Sequence, residues 1–402
     1  MDKLVINGGK PVRENFLVYG APDIGNEEID EVVACLKTGW ISTGPRANQF
    51  ENDVLDYVNG KHACATNSCT SALHLSLIAH DIGKGDEVIT TPMTFGATVN
   101  VIEHVGATPV LVDIQQNGFN INAELIESKI TEQTKAIMPV HYAGFPCEMN
   151  LINDIARKHD LIVIEDAAHA MGTKYKGKFI GDSNNCVCFS FYVTKNISAA
   201  EGGMVISPSE ALNDKVRTYC LHGMNHGAWQ RFSKSSKQLH YDIVVPGYKF
   251  NMPDLNASMG IQQLKKLEKF IEIRRNYANI YFESLKDIPG LILPHSLIDD
   301  NTEHRCAWHL FPVMIDTNYF SVSRETIMAA MIKENIGVAT HYRAIFDQEF
   351  YKNKYQFKRE NFPNASIVSD TVFSLPLSSA MSMEDVRSVI KALNKVLPYY
   401  QT

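Results

Sequence analysis

Nothing in this chain of 402 residues approaches the ~20 consecutive apolar residues that a membrane-spanning helix requires. The N-terminus, Met1-Asp2-Lys3-Leu4-Val5-Ile6-Asn7-Gly8-Gly9, lacks the apolar core of a signal peptide. No membrane contact and a cytoplasmic location are therefore expected. The chain also lacks a basic excess. Its 38 Lys and Arg against 45 Asp and Glu leave a net charge of −7, which argues against nucleic-acid binding by phosphate neutralisation. A local basic pocket for a diphosphate is still compatible with that total. The eight cysteines form no CxxC pair, so neither a disulfide framework nor a metal site is indicated. Cys186-Val187-Cys188 is the closest pair, and its alternation before Phe189 reads as strand packing. There is no internal repeat and no low-complexity tract.

What is present has the balance of a globular protein, with 45% hydrophobic and 21% charged residues. The length suits one large domain and a smaller one. Asn26-Glu27-Glu28 reads as an N-cap with an acidic first turn, and Gly39 closes that helix. Strand-like runs follow at 62–65, 87–90, 108–112, 136–140 and 161–164, separated by helical stretches near 70–80, 97–105, 123–130 and 151–158. Such alternation predicts a mainly parallel sheet flanked by helices, an α/β fold. Two more apolar runs, 187–191 and 203–206, extend it. The polar stretch 222–241 reads as a long functional loop. Residues 253–284 read as one long helix or two in series. Beyond 287 come a strand at 308–315, a helix at 324–334, a strand at 372–375 and a helix at 383–396. The expected division is a large domain with its N-terminal segment over 1–250, a connecting helix region over 251–286, and a small C-terminal α+β domain over 287–402.

The chemistry concentrates around two residues. The run Leu161-Ile162-Val163-Ile164 ends in Glu165-Asp166-Ala167-Ala168-His169, and Lys195 follows Phe189-Ser190-Phe191-Tyr192-Val193-Thr194. A lysine amine can tether the aldehyde of pyridoxal 5'-phosphate as a Schiff base and then act as proton shuttle. A carboxylate at a strand end can keep the cofactor's pyridine nitrogen protonated. Glu201-Gly202-Gly203 allows a close backbone turn beside a ligand. Asn67-Ser68-Cys69-Thr70-Ser71-Ala72-Leu73 offers N–H groups and hydroxyls at a helix start for the phosphate, and Ser190 offers another. Phe95, beyond the strand-like run 87–90, reads either as core packing or as a ring that stacks on the pyridine face. His169 can approach the cofactor's other edge.

Together, 189–195 with Glu201-Gly202-Gly203, the 165–169 block, 67–73 and Pro246-Gly247-Tyr248-Lys249-Phe250-Asn251 resemble the nucleotide-sugar aminotransferases, fold-type-I pyridoxal-phosphate enzymes. The resemblance spans nearly the whole chain, from Gly39-Trp40-Ile41-Ser42-Thr43-Gly44-Pro45 to the last helix. His141-Tyr142-Ala143-Gly144, Ala307-Trp308-His309-Leu310-Phe311 and His341-Tyr342-Arg343-Ala344 are most similar to the branch that makes UDP-4-amino-4-deoxyarabinose for lipid A, a lipopolysaccharide modification. The resemblance implies that Lys195 is the Schiff-base lysine, Asp166 the pyridinium partner, Phe95 the stacking ring, and His169 a neighbour of the phenolic oxygen. It further implies that Thr70, Ser71 and Ser190 hold the phosphate and that Asn251 reaches it from the neighbouring subunit of a homodimer with shared sites. Ser42, Thr43 and His341 would face the sugar or diphosphate, and Arg343 and Lys249 are its candidate cationic donors. Two departures stand out: the arabinose branch has tryptophan at the position of Phe95 and histidine at that of Tyr192.

The expected activity is transfer of the glutamate amino group to a nucleotide-linked 4-keto sugar, UDP-linked by the branch resemblance. A dTDP- or GDP-linked 4-keto or 3-keto sugar is the alternative. A sugar dehydratase of the same fold would carry histidine in place of Lys195. A non-enzymatic ligand-sensing regulator on the same scaffold is a further alternative, less economical with an intact Lys195–Asp166 pair.

Overall fold

The computed structural model describes residues 3–224, 241–294 and 304–401. Its centre is a seven-stranded sheet of β1 (His62–Thr66), β2 (Glu87–Thr90), β3 (Thr108–Leu111), β4 (Thr134–Met138), β5 (Ile162–Asp166), β8 (Cys186–Ser190) and β9 (Gly203–Ser207). A short hairpin, β6 (Lys174–Tyr175) and β7 (Lys178–Phe179), lies between β5 and β8 in sequence. The spatial order is β1-β9-β8-β5-β4-β2-β3. All neighbours pair in parallel except at β9, which runs antiparallel to both β8 and β1. β8 and β9 are buried along their whole length because helices cover both faces, which is why their sequences are nearly unbroken apolar runs. Cys186 and Cys188 are buried strand residues.

Topology places the site. The C-terminal ends of the parallel strands share one edge of the sheet, where the backbone leaves regular pairing and side chains can converge. Because β9 is reversed, its first residue, Gly203, joins the same edge as Ser190 at the end of β8. A Cβ on Gly203 would meet the Ser68 carbonyl carbon at 2.3 Å, so glycine is what lets the strand run against the start of helix Cys69–Ala79.

A 32-residue helix, Asp254–Leu285, leads out of this layer, and helices Asn26–Lys37 and Pro45–Val58 pack along it. Its first residue ties the two regions together. The buried Asp254 carboxylate accepts from the N–H groups of Gly44 (2.7 Å), Ala47 (3.0 Å) and Arg46 (3.1 Å), satisfying donors at the start of helix Pro45–Val58 that have no acceptor within that helix. Beyond this helix a three-stranded antiparallel sheet forms from β10 (Leu291–Ile292), β11 (Phe311–Ile315) and β12 (Val372–Leu375). Helices Arg324–Lys333 and Met383–Val396 pack around it, and its core runs on into Tyr142, Phe145 and Trp308.

Several expectations are corrected. The helix expected over 123–130 is two short 3-10 turns, Ala123–Leu125 and Glu127–Lys129, because only Ala123 and Ile126 bury while Leu125 is exposed. Asn26 is not the N-cap. Gly25 is, and the Glu28 carboxylate accepts its N–H at 2.8 Å. The strand expected from 308 starts at Phe311. Helices Pro45–Val58, Glu210–Cys220, Glu349–Tyr355 and Pro363–Thr371 are additional. Most of the polar stretch 222–241 lies outside the described residues.

Candidate active site

At the C-terminal edge of the sheet is a cavity of about 550 Å³ lined by Thr70, Phe95, Asp166, His169, Ser190 and Lys195, with His341 and Tyr342 on its far wall. Asp166 is the last residue of β5, and hydrogen bonds fix its carboxylate on two sides. Oδ2 accepts from Thr98 Oγ1 at 2.7 Å and Oδ1 from the Ala168 N–H at 3.1 Å. Burial pushes its pKa up, and those two bonds together with Lys195 and His141 oppose the shift. A carboxylate held in a dry site without a full countercharge is a ready partner for a protonated ring nitrogen.

Lys195 lies on the loop after β8, with its N–H bonded to the Tyr192 carbonyl at 2.9 Å. The side chain retains some exposure through the cavity, yet burial lowers its pKa to about 8, against the attraction of Cys69 and Asp166. A lysine so placed is a nucleophile near neutral pH.

The start of helix Cys69–Ala79 forms the adjoining wall. Ser68 is its N-cap, and the N–H groups of Cys69 and Thr70 have no acceptor within the helix. With the Ser190 hydroxyl beside them, these groups suit a phosphate. Ser71, expected beside Thr70, turns its hydroxyl inward to Asn67 Oδ1 at 2.7 Å and does not line the cavity. Phe95 caps the next helix, Gly96–His104, and is 64% exposed, so one face of its ring is free to cover a planar ligand.

His169 is buried and neutral, because desolvation and the nearby Lys195 and His341 hold its pKa well below the usual histidine value. Burial likewise holds the His341 imidazole down at about 3, and its Nδ1 lies 3.0 Å from Ser374 Oγ. Behind Asp166, His141 Nδ1 accepts from the Cys147 N–H at 3.1 Å, so Nε2 carries the proton and donates to Glu165 at 2.9 Å.

The remaining expected residues gather elsewhere. Ser42, Thr43, Lys249 and Asn251 line a second cavity of about 480 Å³, and none of the four lines the Lys195 cavity of the same chain. There Asn251 donates to Thr43 Oγ1 and accepts from Lys249, while Thr43 donates to the Met252 carbonyl at 2.6 Å. Arg343 is exposed and makes no ion pair among the described residues. Two residues important to the geometry are not singled out by the sequence: Thr98 and Tyr342. Thr98 sits two helical residues beyond Gly96 with no local signal that it faces Asp166, whereas Ser68, read as part of the helix start at 67–73, is the N-cap itself.

The arrangement fits pyridoxal phosphate. An amine, a strand-end carboxylate, a helix N-terminus and an exposed aromatic face border a cavity of suitable size. The match to known proteins agrees. Residues 22–394 match the model of the DegT/DnrJ/EryC1/StrS aminotransferase family. The chain is 44% identical over 386 residues to the spore coat polysaccharide biosynthesis protein SpsC of Bacillus subtilis, covering 96% of this chain and 98% of that one. Among solved structures it is similar to Helicobacter pylori PseC, an aminotransferase involved in the biosynthesis of pseudoaminic acid (TM-score 0.87, 28% identity, 96% of this chain and 100% of that chain). It is equally similar to the PLP form of Spr1654 from Streptococcus pneumoniae, assigned as a sugar aminotransferase (TM-score 0.87, 31% identity, 96% and 99%). The chain belongs to the DegT/DnrJ/EryC1/StrS aminotransferase family and is a pyridoxal-phosphate-dependent sugar aminotransferase.

Proposed function

We propose that this enzyme transfers the amino group of glutamate to the ketone at carbon 4 of a UDP-linked sugar, leaving 2-oxoglutarate and a 4-amino sugar nucleotide. It does so as a cytoplasmic homodimer with shared sites. The observation that carries the reading is the meeting of Lys195 and Asp166 in one cavity beside a helix N-terminus. When bound, pyridoxal phosphate supplies an aldehyde and an electron-accepting ring. Asp166 holds the charge of the ring nitrogen, and Thr98 and the Ala168 N–H aim it. Lys195 Nζ would tether the aldehyde, and its amine, with its pKa lowered to about 8, is placed to take up and return a proton at the reacting carbon. Thr70, Ser190 and the helix N–H groups hold the phosphate. Phe95 covers the ring.

Support for the dimer comes from the second cavity. Asn251, with Lys249, Ser42 and Thr43, is held away from its own chain's Lys195, which fits a contribution to a neighbour's phosphate and diphosphate. His341 and the exposed Arg343 serve the sugar nucleotide from within the chain. Among the described residues no helix is long and apolar enough to cross a membrane.

The UDP assignment has a narrower base. Of the three motifs most similar to the aminoarabinose branch, 341–344 puts His341 and Tyr342 on the cavity wall, while 141–144 and 307–311 pack on each other: His309 N–H bonds to the Ala143 carbonyl at 2.9 Å, and Trp308 is buried against Phe145. The latter two support His169, through the Ala143 N–H and the His309 ring, rather than touch the cavity. A dTDP-linked acceptor is a second reading, favoured by likeness to DesI, whose structure was determined in the presence of its TDP-sugar product (TM-score 0.85, 26% identity, 98% of this chain and 95% of that chain). Purified enzyme assayed with glutamate and UDP-, dTDP- and GDP-4-keto sugars decides between them. Preference for the UDP sugar is expected. Equal or better turnover of another nucleotide overturns the nucleotide assignment and leaves the transaminase intact.

A further inference from the structure

The two ring nitrogens of His169 are both occupied. Nδ1 accepts the Ala143 N–H at 3.2 Å, so the proton of the neutral imidazole resides on Nε2. Nε2 in turn lies 3.0 Å from Tyr342 Oη and donates to it. His169 therefore cannot also donate to a ligand without giving up Tyr342, although the family resemblance sets it beside the cofactor's ring oxygen. Tyr342 is differently placed. Its oxygen accepts from His169, which leaves its own O–H proton free to point elsewhere, and its side chain lines the cavity that holds Lys195 and Asp166.

The phenol is held firmly. Its ring stacks on that of His169 at 6.0 Å and 21°, meets Tyr142 edge-on at 6.0 Å and 87°, and lies 6.1 Å from Phe95. The Tyr142 hydroxyl is anchored on the His341 carbonyl. Burial, with Tyr142, Tyr19 and Asp166 nearby, keeps the Tyr342 phenol protonated well above its ordinary range, so it stays a donor. Of the cofactor's polar handles, Asp166 addresses the ring nitrogen, Lys195 the aldehyde, and the helix N-terminus with Ser190 the phosphate. The ring oxygen is left for the wall that Tyr342 and His169 form.

We propose that Tyr342 Oη, not His169, donates the hydrogen bond to the ring oxygen of pyridoxal phosphate, and that His169 is a positioning residue acting through Tyr342. This rests on the assignment of Lys195 as the tether. Its consequence is spectroscopic. A donor on the ring oxygen competes for negative charge with the proton on the Lys195-tethered nitrogen, so losing the donor strengthens the hold on that proton. The other titratable groups of the cavity, Cys69, Asp166, Tyr192, Lys195, Glu201 and His341, and His309 against the His169 ring, are left unsubstituted in the variants below.

The experiment is a pH titration of the visible absorbance of holoenzyme. Tyr342→Phe removes one oxygen and keeps the ring, and it should raise the midpoint by about one pH unit, the scale of a hydrogen bond to a charged group. His169→Asn should raise it less, and the double variant should match Tyr342→Phe. A Tyr342→Phe midpoint equal to that of wild type overturns the proposal, as does a double variant shifted well beyond Tyr342→Phe. Should Tyr342→Phe fail to fold, His169→Asn combined with Tyr342→His, which restores a donor, gives the same comparison: a midpoint near wild type supports the relay, and a full shift overturns it. A wild-type holoenzyme with no pH-dependent visible band would overturn the Lys195 tether itself, a different failure from an unmoved Tyr342→Phe.

Discussion

Thr98 Oγ1 donates to Asp166 Oδ2 at 2.7 Å and itself accepts from Thr94 Oγ1 at 2.6 Å, so two buried hydroxyls in series aim the one buried carboxylate that borders the Lys195 cavity. The chain runs from the loop after β2, through the first turn of helix Gly96–His104, to the end of β5. It converts the relative placement of two strands into the orientation of a single side chain.

Asp166→Asn should slow the glutamate half-reaction by about 100-fold or more, since an amide provides no charge for the ring nitrogen. Single-turnover formation of the pyridoxamine form measures it. Thr98→Val should slow the same step less, by about tenfold, with the carboxylate present but no longer aimed.

Asp166→Asn should also stabilise the cofactor-free protein. In the fold the Asp166 pKa is raised, so its favourable contribution is complete only below the unfolded value, about 3.9, and is lost as pH rises through the folded value. At pH 7 the carboxylate therefore costs stability, and Asp166→Asn removes that cost. Thermal unfolding of apoenzyme at pH 7 should show a higher midpoint for the variant, with the gap closing in acid. A lower midpoint at pH 7 contradicts the sign.

Gly203→Ala should weaken cofactor binding at least tenfold, as about 1.4 kcal/mol of misplaced phosphate contact would do. The new methyl would meet the Ser68 backbone at 2.3 Å and displace the start of helix Cys69–Ala79. Equilibrium titration of apoenzyme with pyridoxal phosphate reads the change.

Much of this site was legible because its residues carry local signals. Asp166 comes just after the apolar run 161–164 and Glu165, and Lys195 lies between two apolar runs, so one could be placed at a strand end and the other on the loop after a strand from pattern alone. Glycine at 203 announced a close approach. What stayed hidden depends on contacts between distant segments. Nothing local marks Thr98 as the partner of Asp166, 68 residues away, or Tyr342 as that of His169, 173 residues away. Helix Pro45–Val58 was hidden for a related reason, since Asp254 satisfies its first N–H groups from more than 200 residues away. The stretch 123–130 misled in the opposite direction: its apolar residues have helical spacing, but two buried side chains are too few to hold a helix.

Asn251 should act across the dimer. Mixed Lys195→Ala and Asn251→Ala subunits would form heterodimers in which one shared site carries both lesions and the other neither. Activity should reappear above that of either variant alone. No recovery in demonstrated heterodimers would place Asn251 in its own subunit's site or outside both.

The central claim is that Lys195 is the cofactor's covalent anchor. Borohydride reduction of holoenzyme, followed by peptide mapping, tests it most directly. The reduced cofactor should be found on the peptide containing Lys195, and Lys195→Ala should lose both the label and turnover while still binding pyridoxal phosphate through the phosphate site. Label on any other lysine, or turnover surviving in Lys195→Ala, would contradict the account.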